Sequence, residues 1–168
     1  MRGRSQFVGV AGQHYVAYCL SIRGIHAAIT LGNVPDVDVV IAKPDGSLAL
    51  SIQVKTSSSA YRPNHYGKEV CEWDVGPSAV NAISNNFWYA FVDLQESDGP
   101  PWNPRVFLVP SRWVGKFVKN ASPKRRMYLL PKQVWGECLE RWDRINKFLD
   151  GDREALNWCR RVPRGATW

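Results

Sequence analysis

Two apolar segments with a turn between them constrain this chain most. Residues 37–41 (VDVVI) are β-branched and nearly unbroken, as expected of a strand covered on both faces. Residues 48–54 (LALSIQV) form the expected partner, and Pro44-Asp45-Gly46 between them has the composition of a tight hairpin turn. Side chains alternate along a strand, so Ser51, Gln53 and Lys55 share one face while Leu50, Ile52 and Val54 take the other. Asp38 interrupts the first apolar run, where a carboxylate is costly without a partner. Asp36 shares its face if the strand reaches that far, and otherwise sits in the preceding turn.

The remaining segments supply elements around this pair. Residues 7–23 predict a first helix, with Val16, Ala17 and Leu20 as its inward stripe, Gln13 one turn earlier on that stripe and Gly24 as its stop. Residues 25–30 predict a short strand, and residues 56–68 a polar loop carrying Arg62 and His65. Residues 69–75 alternate like an edge strand, and residues 78–85 predict a short helix. Residues 87–94 (FWYAFVDL) and 105–109 (RVFLV) are strand signals, and Trp113, Val114, Phe117 and Val118 mark a short amphipathic helix. Trp135, Cys138, Leu139, Trp142, Ile145 and Leu149 predict one helix over residues 131–149. Together these predict an α/β (α+β) fold, a mixed central sheet flanked by helices. The expected organisation is a core over residues 1–120 with a basic, Trp-rich helical extension over 121–168 packed on the same domain.

Charge divides the chain at the same place. Residues 1–110 carry 8 Lys and Arg against 9 Asp and Glu, whereas residues 111–168 carry 14 against 6. A basic C-terminal segment attracts polyanions, nucleic acid above all. Its candidate contacts are Lys124, Arg125, Arg126, Arg160 and Arg161, with Arg62 approaching from the loop after the second strand. Cys19, Cys71, Cys138 and Cys159 are too scattered for a structural zinc site. No apolar run approaches membrane-spanning length and none follows the basic start, so a reduced cytoplasmic protein without a signal peptide is expected. Trp158 and Trp168 are harder to bury locally than Trp135 and Trp142, which suggests a docking role and a homodimer.

Asp38 beside Gln53-Val54-Lys55 suits metal-assisted phosphodiester hydrolysis. Mg²⁺ or Mn²⁺ takes oxygen ligands, which Asp38, the Gln53 side chain and the Val54 carbonyl could provide. Lys55 could orient a nucleophile and stabilise the charge that develops at phosphorus. The plainer alternative is a cross-strand ion pair between Asp38 and Lys55, with Gln53 an ordinary buried amide.

Three segments, GVAGQHYVAYCLSIRGI, PDVDVVI and SIQVKTSS, resemble the PD-(D/E)XK nuclease superfamily in its Q-x-K variants. The downstream FWYAFVDL and RVFLVP with Ser-Arg-Trp-Val extend the resemblance over roughly residues 5–118. The resemblance implies a restriction-endonuclease-like sheet, a DNA substrate and a Mg²⁺ or Mn²⁺ cofactor. It implies catalytic roles for Asp38 and Lys55 and metal binding at Gln53, which lies fifteen residues after Asp38. The family commonly places a Glu on the first helix, where this chain has Gln13, and an acid where it has Gln53. The two expected functions are therefore a DNA endonuclease and a nuclease-fold protein that binds nucleic acid, or a protein partner, without cutting.

Overall fold

The expected strand pair forms as β2 (Val39–Ala42) and β3 (Ala49–Ser57), antiparallel with Val39 opposite Ile52 and Ile41 opposite Leu50. The computed structural model describes residues 2–31, 36–96, 99–120 and 127–164. β1 (Ala27–Ile29) pairs on the outer side of β2. β6 (Phe87–Asp93) lies parallel to β3 on the other side, with Gln53 opposite Tyr89 and Lys55 opposite Phe91. β7 (Arg105–Pro110) closes a five-stranded mixed sheet in the order β1-β2-β3-β6-β7. β6 is buried at every residue, which explains its apolar run without alternation.

α1 (Arg2–Ser21) crosses one face of this sheet. Gly12 permits the crossing, because a Cβ there would stand 1.9 Å from Thr56 Oγ1 and 2.9 Å from Thr56 Cβ. The same layer holds α3 (Asp143–Leu149) and α4 (Arg153–Arg160), whose Phe148 and Trp158 meet Trp88 of β6 edge-on. The opposite face carries Tyr89 and Phe91. It is covered by a second sheet of β4 (Tyr61–His65), β5 (Lys68–Asp74) and β8 (Met127–Pro131), and by Phe117 of α2 (Ser111–Asn120). Trp73 and Tyr128 from that sheet pack on Phe91, and Trp73 Nε1 donates to the Val92 carbonyl at 2.9 Å. The molecule is therefore a mixed α/β fold with a five-stranded sheet, a three-stranded sheet and helices on both sides, as expected in class.

Several local expectations are corrected. The polar loop over residues 56–68 is largely β4, which turns at Tyr66-Gly67 into β5. The edge strand over residues 69–75 is the middle strand of the second sheet. The short helix over 78–85 contracts to a 3₁₀ turn at Pro77–Val80. The single helix over residues 131–149 is a 3₁₀ segment, Lys132–Glu137, then an extended crossing at Leu139, then α3. Glu140 breaks it: its backbone has φ 52°, its N–H donates to the Val106 carbonyl and its carboxylate accepts from Val106 N and Trp142 Nε1. The extension is thus not purely helical, since β8 pairs with β5 and completes the second sheet.

Trp158, read as a docking residue, is buried against Trp88 and Trp113, with the Arg144 guanidinium 5.3 Å over its ring. Trp168 lies outside the described residues. All four cysteines are free and buried. Among the described residues no helix is long and apolar enough to cross a membrane.

Candidate active site

β2 begins only at Val39, three residues after Asp36, so the strand does not reach far enough to align Asp36 with Asp38. Asp36 instead adopts a left-handed turn at φ 64°, a conformation that Asp tolerates and β-branched residues do not. Asp38 extends the sheet through its backbone: its N–H donates to the Ile52 carbonyl and its carbonyl accepts from Thr30 N, both at 2.9 Å. Beyond Ile52, β3 continues with no partner strand on the β2 side among the described residues. There the Asp38 side chain substitutes for a strand, its Oδ2 accepting the Val54 N–H at 2.7 Å. Oδ1 accepts from Gln13 Nε2, also at 2.7 Å, so α1 delivers Gln13 to Asp38.

The second cluster forms on the opposite layer. Gln53 is 5 % exposed and donates through Nε2 to Asp36 Oδ1 at 3.1 Å. Ser78, from the 3₁₀ turn, donates its hydroxyl to the same oxygen at 3.0 Å. Tyr89 stands opposite Gln53 in the parallel register, and its buried hydroxyl has no hydrogen-bond partner. Burial, then the nearby Asp36 charge, pushes that phenol well above its ordinary range, so Tyr89 stays neutral with a proton to donate. Gln53 Oε1 is also buried and accepts no hydrogen bond.

Both carboxylates are thus docked on consecutive β3 residues, Asp36 on Gln53 and Asp38 on Val54, but from different layers. Of the two positions expected for Asp36, a strand face shared with Asp38 or the preceding turn, the structure takes the turn. Gln53 and Lys55 do share a face, and Lys55 is half-buried with no ion pair among the described residues. The simple Asp38–Lys55 ion pair is therefore not formed.

The other sequence candidates lie apart. Arg62 is tied down, with Nε on Glu72 at 2.8 Å and Nη1 on the carbonyls of Ser59 and Tyr61 at 3.0 Å. Glu69 binds Tyr61 and Lys132, and Asp74 takes Gly76 N, so the acids of β5 are engaged away from Asp38. Arg160 and Arg161 are exposed at the end of α4. Lys124, Arg125 and Arg126 lie outside the described residues. Ser78 and Tyr89 carry no spacing signal in the sequence; only the tertiary turn at Asp36 brings them in.

Among the described residues no three His, Cys, Asp or Glu side chains gather into a metal-binding group. The oxygens at this end of β3 divide between the layers, Asp38 on the α1 side and Asp36 with Gln53 Oε1 on the other, so an oxygen-preferring ion at Asp38 would draw most of its shell from water and substrate. No family model, no curated protein and no solved structure matches this chain.

Proposed function

We propose that the protein is a metal-dependent endonuclease that hydrolyses phosphodiester bonds in DNA. The observation that supports it best is the Asp38 junction, where α1 and β3 meet one carboxylate through Gln13 and Val54, one residue before Lys55. Asp38 and the Val54 carbonyl would hold Mg²⁺ or Mn²⁺ with water and substrate phosphate, whereas Gln53 Oε1 and Asp36, also expected near the ion, lie on the other layer. A bound divalent cation supplies charge neutralisation at phosphorus and acidifies water.

The chain's own residues account for the rest. Gln13 and the Val54 amide fix the Asp38 carboxylate before substrate arrives. Among the described residues Lys55 forms no ion pair, so its ammonium is available to orient the attacking water and stabilise the charge developing on phosphorus. The resemblance to Q-x-K nucleases supports the same assignment. The free, buried thiols fit a reducing cytoplasm.

One observation favours a second reading, a nuclease-like fold that binds nucleic acid without cutting. Each carboxylate already has an amide donor, Gln13 on Asp38 and Gln53 on Asp36, so the site is satisfied without a cation. Incubation of supercoiled and linear DNA with Mg²⁺ or Mn²⁺ separates the two. Nicking by wild type that Asp38→Ala and Lys55→Ala abolish is the expected result. Equal activity in wild type and Lys55→Ala would sink the assignment.

A further inference from the structure

A second feature of the same molecule follows from the 3₁₀ turn that carries Ser78. One side of that segment touches Asp36 through Ser78. The other packs on α2, where Gly115 allows Ile83 to approach: a Cβ at Gly115 would stand 2.7 Å from Ile83 Cδ1 and 3.2 Å from the Ala79 carbonyl. Beside this contact lies a groove of about 370 Å³ lined by Ile83, Arg112, Gly115, Lys116, Arg160 and Val162. Its three cations are exposed and form no ion pair among the described residues.

The arrangement is electrostatically unfavourable on its own. Arg112 and Lys116 are four apart on α2, so they present like charges on one helix face. Arg112 also sits in the first turn, which holds no acid and where a cation opposes the helix dipole. Arg160, from the last turn of α4, adds a third positive charge. Among the described residues no carboxylate lines the groove, so an external anion is what would relieve the repulsion.

We propose that this groove is a phosphate subsite, holding the backbone of the same DNA that the Asp38 site acts on. The inference rests on the nuclease reading for the identity of the nucleic acid, but not for the binding itself. Only the charge and the spacing of the cations are needed, so the contact is to phosphates and carries no base recognition.

Fluorescence anisotropy with a labelled DNA duplex in EDTA tests binding without cleavage. The variant is Arg112→Ala/Lys116→Ala/Arg160→Ala, with Arg153→Ala as an exposed control on α4. The triple variant is expected to bind about tenfold or more weakly near physiological salt, with its log–log salt slope reduced by about 0.9 per lost contact. Arg153→Ala is expected to bind as wild type does. The melting temperature of the triple variant should equal or exceed wild type, because repulsion has been removed. Unchanged affinity and slope, or a melting temperature several degrees lower, would overturn the subsite. If wild type binds and the triple variant does not, yet no protein cleaves with Mn²⁺, the groove stands and the nuclease reading falls alone.

Discussion

Gln13 Nε2 reaches Asp38 Oδ1 at 2.7 Å from a helix that starts the chain, and Val54 N holds the other oxygen at the same distance. An amide in this place makes a donor–acceptor pair with the carboxylate. A Glu would set two anions against each other unless a cation lay between them. Gln13→Glu is therefore expected to lower stability by about 1–3 kcal/mol in EDTA, from the lost donor and the added repulsion. Mn²⁺ should raise the melting temperature of the variant more than that of wild type. Thermal melts with and without the ion check it; equal metal shifts in both proteins would count against a cation beside Asp38.

Asp38 and Lys55 should separate stability from activity. Asp38→Ala strands the Val54 N–H and the Gln13 amide, with an expected loss of about 1–3 kcal/mol in urea unfolding. Lys55→Ala removes no hydrogen bond or ion pair among the described residues and should lie within about 0.5 kcal/mol of wild type. A large stability loss at Lys55 would mean that its role is structural.

The contact between Gly12 and Thr56 is a steric prediction. Gly12→Ala places a methyl 1.9 Å from Thr56 Oγ1, so α1 must lift or Thr56 must turn, at a cost of about 1–3 kcal/mol. Thr56→Ala removes the hydroxyl and methyl but leaves its Cβ at 2.9 Å, and should rescue the loss only in part. A double-mutant cycle with no coupling would show that the helix adjusts freely.

Asp93 and Arg105 lock the far ends of β6 and β7 to the second sheet. Asp93, 1 % exposed, accepts Arg105 Nη2 at 2.6 Å and Ala60 N at 2.9 Å, while the guanidinium lies 5.0 Å over Trp135. Arg105→Ala leaves a buried carboxylate short of its partner and is expected to cost about 3–5 kcal/mol in chemical denaturation.

The four thiols should be silent in the native state. Burial pushes Cys71 and Cys159 up to about 12, and Cys19 and Cys138 rise for the same reason. A chromogenic disulfide reagent at pH 8 should titrate none of them natively and all four in denaturant. Rapid native reaction of any one would reveal local opening.

The sheet was legible wherever burial was uniform or alternated cleanly. β2, β3, β6 and β7 follow from runs such as VVIA and FWYAFVD. β4 escaped because Arg62, Pro63 and Asn64 are poor strand formers, and its pairing with β5 supplies what propensity lacks. The stripe from Trp135 to Leu149 has helical spacing, yet Glu140 and its bonds to Val106 override it. At the site, Gln13, Asp38 and the common face of Gln53 and Lys55 could be placed from spacing. The left-handed turn at Asp36 could not, and with it went Ser78 and Tyr89.

The Asp38 carboxylate on Val54 N has a further consequence for how this protein behaves in company. Among the described residues no strand pairs with β3 on the β2 side past Ile52, and an unpaired strand margin is a place where another chain can add. A charged side chain seated on the first free N–H turns that margin into a poor template for strand addition. The residue proposed for cleavage therefore also occupies the amide on which an added strand would begin to pair.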